Sequence, residues 1–413
     1  METMNRFPVI IGKAYSAIRR GGIVGGGRRI AVAIGEFFRF VGSGDILFIA
    51  SGTGDSARYR CRHIAEALRF RGFKTAVATQ DNVFLSKYID KFSIVVFHRV
   101  SWTPKIEKLL NALCERKKTV LFDTDDLIFD ADLFKKTAAY GAMNALERKQ
   151  YDTGVGKEFL RHPAIAAFST STAFLADRLR PFGKPVFVVP NRLSEEDVKN
   201  AERLRELGTR NKELGNREKE LGMRNKESGK GTPRAVIIGY FSGSTGHDRD
   251  FGTVANVLAE VLEAHSNVRL FIAGPLMFSG ALEKVRDRIV RVSYVSRPKH
   301  FKNLAHIDIT IAPLEIGDLF CEAKSELKFF EAGLVGVPTV ATATRTFREA
   351  IHDGVDGFVA MNESEWREKL ERLILDIDLR KRMGERARET ALERYSTKTA
   401  RDDEYVNFLK ERV

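Results

Sequence analysis

Short runs of β-branched and aromatic residues alternate along this chain with longer segments whose apolar residues recur every three or four positions. The first set of runs falls at 45–50, 74–79, 93–99, 119–123, 164–169 and 185–189. A second set falls at 235–241, 268–273, 290–295, 307–312, 338–342 and 357–360. Continuous apolar runs of this length, separated by helical periods, predict strands buried on both faces of a parallel sheet with crossover helices between them. The pattern occurs twice, so the fold class is α/β, with two tandem Rossmann-like doubly wound domains. Ligands of such sheets bind beyond the carboxyl ends of the strands, which predicts a cleft where the two domains face each other.

The two patterned regions are separated by a segment of different character. Glu206-Leu-Gly-Thr-Arg-Asn-Lys, Glu213-Leu-Gly-Asn-Arg-Glu-Lys and Glu220-Leu-Gly-Met-Arg-Asn-Lys repeat every seven residues and end in Glu227-Ser-Gly. One leucine per unit is too little apolar surface for a coiled coil, and each glycine costs a helix up to about 1 kcal/mol. The segment reads as a solvated insertion, partly helical or disordered. The chain therefore divides into an arm at 1–44, a domain at 45–194, the insertion or linker at 195–232, a second domain at 233–395 and a closing helix at 396–413. Tyr405, Phe408 and Leu409 share one face of that helix.

Charge is unevenly placed. The net charge of +13 includes seven arginines and lysines against two glutamates within residues 1–44, interleaved with Phe7, Ile10, Ile18, Ile34, Phe37 and Phe40. Two short basic amphipathic helices broken at the glycines of 21–27 fit an anionic membrane surface; the alternative is an arm packed on the first domain. A basic groove with aromatic platforms, as nucleic-acid binding would require, is not evident, so no nucleic-acid partner is expected. No apolar run reaches the roughly 18 to 20 residues that span a bilayer. Cys61, Cys114 and Cys321 lie far apart, without metal or redox spacing, which suits a reducing compartment and a cytoplasmic protein peripheral to the membrane.

The most informative stretch is Ala323-Lys-Ser-Glu-Leu-Lys-Phe-Phe-Glu-Ala-Gly-Leu-Val-Gly-Val-Pro-Thr-Val-Ala-Thr342. Lys324, Ser325, Glu326 and Leu327 stand where a helix opens, and amide N–H groups there favour an anion such as a diphosphate. Glu331 follows on an otherwise apolar segment, where a carboxylate can accept two hydroxyl hydrogen bonds, as a ribose offers. Its alternative is a carboxylate on the helix surface.

From Phe330 through Gly336 and Pro338 to Val340 this stretch resembles the signature of retaining glycosyltransferase family 4, the glycosyl transferases group 1, whose two-domain architecture is the GT-B fold. The segment from Phe347 through Gly354 and Gly357 is similar to that family's strand-turn tail, and Leu379 to Ser396 to its closing helix. The resemblance covers most of 235–396 well and 45–193 more loosely. It implies a retaining sugar transfer from a nucleoside-diphosphate donor, bound by the second domain, to a glycan or lipid-linked acceptor facing the first. Cell-surface polysaccharide or glycoconjugate synthesis is the implied setting. It also implies a last helix that crosses back to the first domain, and no cofactor or metal. The sequence departs from the family pattern at Ala323, eight before Glu331, where a glutamate is usual and where Glu322 stands one residue off. The family also more often has an arginine and a lysine in the region of 238–251, and Tyr240 stands near the expected arginine.

The resemblance directs attention to three further groups. In Ile238-Gly-Tyr-Phe-Ser-Gly-Ser-Thr-Gly-His-Asp-Arg249, the small residues Ser242, Gly243, Ser244 and Thr245 could cradle phosphates or form an ordinary turn. Arg249 and Lys328 become candidate counter-charges for the missing arginine. In the first domain, Arg58 and Arg60 follow a glycine loop and could hold an anionic acceptor or be solvated. His98 and Arg99 end a strand, and His98 is similar in position to a family histidine that faces donor sugar or acceptor. Asp123, Asp125 and Asp126 end the next strand. Three close carboxylates need a cation, an arginine or a proton. Asp125 and Asp126 can bind acceptor hydroxyls, pair with Arg58 or Arg99, hold a metal, or cap a helix. A catalytically silent GT-B scaffold and a nucleic-acid-binding protein are the alternatives to an enzyme.

Overall fold

The computed structural model describes Gly27, Ala31 and residues 34–141, 143–145, 148, 151–152, 155–211, 235–243, 247–278, 280–293 and 295–413. The basic arm at 1–26, the repeats beyond residue 211, Ser244 and Thr245 lie outside these. The chain forms two compact units, one from residues 1–192 with 400–413 and the other from 193–399.

The first unit is built on a six-stranded sheet in the order β2-β1-β3-β4-β5-β6. Its strands are β1 (Ile46–Ala50), β2 (Thr75–Thr79), β3 (Ile94–His98), β4 (Thr119–Thr124), β5 (Ile165–Thr170) and β6 (Val186–Val188). Every pairing is parallel. β1, β3 and β4 are apolar almost throughout because helices cover both faces, and Phe48, Phe97 and Phe122 are fully buried. The helix Asp55–Ala57 runs on through one wide turn, Arg58–His63, into Ile64–Phe70. The C-terminal helix Asp403–Lys410 completes this unit: Tyr405, Val406 and Leu409 join Ile46, Phe48 and Val96 in its core.

The second unit repeats the plan with the order β12-β11-β10-β7-β8-β9. Its strands are β7 (Val236–Phe241), β8 (Val268–Ala273), β9 (Ile289–Val292), β10 (Ile309–Ala312), β11 (Thr339–Thr342) and β12 (Phe358–Ala360). These are also all parallel. Each of these strands coincides with a run read from the sequence, although β4, β5 and β9 each extend one residue beyond it. The helix Glu195–Asn211 occupies the start of the expected linker, and it packs against the helix Arg297–His306 of the second unit.

The glycines at 333 and 336 have a packing reason. The helix Leu327–Leu334 lies so close to the helix Ile377–Thr390 that a Cβ on Gly333 would meet the Ala387 carbonyl oxygen at 2.7 Å, and one on Gly384 would meet that of Gly336 at 2.1 Å. Gly336 adopts φ of 78°, open to glycine at little strain. Backbone against backbone cannot relax by turning a side chain. Gly384→Ala is therefore expected to destabilise the protein by about 1–3 kcal/mol, measured by urea unfolding; an unchanged midpoint would contradict this packing.

Candidate functional site

Glu331 sits near the middle of the helix Leu327–Leu334 and is only 4% exposed. A buried carboxylate needs partners, and two arrive from another helix. Arg297 opens the helix Arg297–His306, with Pro298 fixing its first turn, and His300 follows one turn later on the same face. Arg297 Nη1 donates to Glu331 Oε1 at 2.8 Å, and His300 Nε2 lies 3.0 Å from Oε2. The same guanidinium forks onto Asp197, with Nε donating to Oδ1 at 2.6 Å and Nη2 to Oδ2 at 2.7 Å. The His300 ring packs edge-on against Phe241 at 5.0 Å, which sets this cluster at the carboxyl end of β7.

A second cluster surrounds Lys328. Its Nζ stands 4.8 Å from the centre of the Tyr240 ring, and Tyr240 is itself fully buried against Phe251. The Tyr240 hydroxyl has no hydrogen-bond partner among the described residues. Asp250 accepts from Cys321 Sγ at 3.1 Å and lies 2.9 Å from His247 Nδ1. Burial pushes the Lys328 ammonium down to about 8, with Asp250 opposing and Lys324 reinforcing that shift. Burial likewise lowers His247 against the pull of Asp250.

The remaining residues expected in this unit fall at different distances from these clusters. Ser242 is buried and its amide donates to the Ala273 carbonyl at 2.8 Å, extending the β7–β8 ladder. The phosphate contact expected from that amide is thereby corrected, because the N–H is already committed. Gly243 is exposed. Arg249 is exposed and pairs with Glu315 at 2.7 Å. Glu322 caps the helix Arg345–Ala350, accepting from the Arg345 amide at 3.1 Å, while Ala323 is buried. Lys324, Ser325 and Glu326 precede the helix Leu327–Leu334 rather than form its first turn, and Glu326 is buried.

In the first unit, the candidates form one network at the carboxyl ends of β3 and β4. Asp123 takes the Arg60 fork, Nε at 3.1 Å and Nη2 at 2.7 Å, together with His98 Nδ1 at 2.7 Å and the Ser169 hydroxyl at 2.6 Å. Although burial opposes its charge, Arg60 and His98 hold the Asp123 carboxyl well below the usual carboxylate range. Arg60 is 1% exposed and also donates to the Val189 carbonyl. The acceptor-binding role expected of Arg60 is corrected on that ground: its guanidinium faces Asp123 and cannot turn to solvent. Removing one member of such a buried pair costs about 3–5 kcal/mol.

His98 is fully buried, and its Nε2 meets Ser56 Oγ at 2.7 Å. Ser56, His98 and Asp123 thus have the connectivity of a nucleophile triad. Two features oppose that chemistry. Asp123 is already neutralised by Arg60, and Asp125 lies on the same hydroxyl at 3.0 Å, where an oxyanion would be repelled. The network instead positions Arg99. Asp125 accepts from Arg99 Nη1 at 3.1 Å, and Arg99 has a positive φ of 50°, a strained backbone for a non-glycine residue. Arg99 and Ser56 line a cavity of about 240 Å³ together with Ser51, Asp55, Gln80 and Tyr151. Asp126 caps the short turn Leu127–Phe129, and Arg58 pairs with Asp55. The three aspartates thus face different partners, and among the described residues no group of His, Cys, Asp and Glu is arranged to hold a metal ion.

Sequence reading did not single out Asp197, Arg297, His300, His247 and Asp250, and it gave Asp123 a reading only as one of three clustered carboxylates. The i,i+3 pairs Arg297/His300 and His247/Asp250, each at a helix start after a strand, were the available signals.

Residues 234–376 match the family model described as glycosyl transferases group 1. No curated protein matches the chain. Among solved structures, a glycosyltransferase from Rickettsia africae is similar, with a TM-score of 0.59, 14% identity, and coverage of 90% of this chain and 99% of that one. WaaG, a glycosyltransferase involved in lipopolysaccharide biosynthesis, matches with a TM-score of 0.55 and 16% identity over 88% of this chain and 99% of its own. HepE from Anabaena, in complex with UDP and glucose, matches with a TM-score of 0.55 and 13% identity over 90% of this chain and 100% of its own. Residues 234–376 of the second unit thus match the glycosyl transferases group 1 family, and the fold of the two units is similar to that of these GT-B structures.

Proposed function

We propose that this protein moves a sugar from a nucleoside-diphosphate donor held by the second unit to a glycan or lipid-linked hydroxyl acceptor, with retention at the anomeric carbon. The observation that carries this reading is the buried Glu331 carboxylate, in the same short helix as the half-buried Lys328 ammonium. Glu331 binds the ribose hydroxyls; the amides of Ser325, Glu326 and Leu327 and the side chains of Lys324 and Lys328 take the diphosphate, together with Gly243, Ser244 and Thr245. Arg249 supplies a more distant counter-charge. With Ala323 buried and Glu322 engaged as a cap, Lys324 and Ser325 replace the contact that the family's first glutamate makes.

In the reaction the bond from the anomeric carbon to the donor phosphate oxygen breaks, and a bond forms from that carbon to the acceptor oxygen. The acceptor proton leaves on the departing diphosphate, so no dedicated base is needed. Stabilising the charge that develops on the diphosphate is the main catalytic work. On the first unit, Arg58, Arg99, Asp125 and Asp126 and the cavity beside Ser56 take the acceptor, with His98 holding Ser56 in place. The setting is surface polysaccharide or glycoconjugate synthesis at the cytoplasmic membrane face. Among the described residues no helix is long and apolar enough to cross a membrane. Ile34, Phe38 and Phe40 are more than half exposed and continue the basic apolar arm, which fits a peripheral attachment.

Three outcomes are expected. In a thermal-shift screen of nucleotide sugars, one donor at a hundred times its dissociation constant stabilises the wild type by about 2.7 kcal/mol, and Glu331→Ala abolishes both this shift and donor turnover; a variant as active as wild type would end the proposal. Because the Lys328 pKa is lowered to about 8, its ammonium is present below that pH and lost above it, so the Kd for the donor's nucleoside diphosphate rises between pH 7.5 and 9.5 by at most about tenfold per unit. Lys328→Arg flattens that profile by calorimetry, whereas a flat wild-type profile would remove Lys328 from the site. In flotation assays the full chain rises with vesicles rich in anionic lipid and stays down when the arginines and lysines of residues 1–39 are neutralised; equal recovery would show that the arm does not bind lipid.

A further inference from the structure

The Arg297 guanidinium is shared unequally between two carboxylates. Asp197 receives a two-bond fork at 2.6 and 2.7 Å, whereas Glu331 receives a single N–H at 2.8 Å. Arginine is built for the two-bond geometry, and an unshared Arg297 beside a buried Glu331 would adopt it there. Asp197 prevents this. It is 4% exposed and locked at the start of the helix Glu195–Asn211, where its carboxylate accepts the Ser194 amide at 3.0 Å and the Ser194 hydroxyl accepts the Asp197 amide at 3.2 Å. The Arg297 guanidinium is further seated 4.9 Å over the Phe301 ring. His300 Nε2, 3.0 Å from Glu331 Oε2, is the other partner of that carboxylate.

We propose that Asp197 and Arg297 are positioning residues for the donor. By drawing the arginine fork onto itself, Asp197 keeps Glu331 oriented toward the ribose hydroxyls, and thereby sets the protein's preference for a ribose over a sugar lacking those hydroxyls. This rests on the reading that Glu331 meets the ribose. No residue of this pair touches the reacting bond, so the effect falls on nucleotide recognition.

The test uses the full chain and calorimetric titration with ADP, CDP, GDP, UDP and dTDP, followed by the 2′,3′-dideoxy form of whichever ribonucleotide binds. The wild type is expected to bind the ribonucleotide at least tenfold more tightly than its dideoxy counterpart. Asp197→Asn and Arg297→Gln each reduce that ratio to about threefold or less, and the double variant is no worse than Arg297→Gln alone, because Asp197 acts through Arg297. Should Asp197→Asn fail to fold, Arg297→Lys, which keeps the charge and loses the fork, carries the same comparison. A wild type that binds none of the five overturns the donor reading and this inference with it. A wild type that binds but ignores the missing hydroxyls, or an Asp197→Asn variant that keeps the full ratio, overturns this inference and leaves nucleotide binding standing.

Discussion

The second unit depends on housing a carboxylate, Glu331, inside its core. Burial opposes the charge on Glu331, so a cation must stand beside it, yet a cation that gripped both oxygens would close the group off. Arg297 stands beside Glu331 and also forks onto a second anion, Asp197. The helix Glu195–Asn211 therefore contributes to the Glu331 cluster, although its sequence is charged and would pass for a linker.

The first unit treats the same physical problem in the opposite way. Asp123 is surrounded by Arg60, His98 and Ser169, all buried or nearly so, and is a foundation rather than a ligand. What it supports is one layer nearer the surface: Ser56, Asp125 and Arg99. Rigidity at depth lets a polar group at the rim hold its geometry. The strained backbone of Arg99 is tolerated because its side chain is fixed by Asp125 and its amide by the Asp123 carbonyl.

The strands were legible because the β-branched and aromatic runs are continuous and their spacing leaves room for one crossover helix each. Glu331 was legible because a carboxylate among Phe329, Phe330, Ala332 and Leu334 has no bland place to go. Its partners were not legible. Asp197, Arg297 and Glu331 are brought together from three distant parts of the chain, and nothing in a single sequence marks which of 68 lysines and arginines meets which carboxylate. Arg60 failed for a related reason: a helix-start arginine reads the same whether it points to solvent or to a buried aspartate. The Ser242 amide failed because its bond to Ala273 extends a ladder past the end of the strand run.

The two departures from the family pattern are related through charge. Near where that pattern carries an arginine, this chain has Tyr240, and where it carries its first glutamate, this chain has Ala323. Losing either alone would shift the site's charge by one; losing both leaves it unchanged. The tyrosine also supplies a face for Lys328, whose ammonium stands 4.8 Å from the ring centre. Such a contact contributes on the order of 0.5–2 kcal/mol and offsets part of the hydration that burial removes. Lys328 in the helix Leu327–Leu334 thus stands against the Tyr240 ring, and the buried Ala323 offers it no carboxylate at that position.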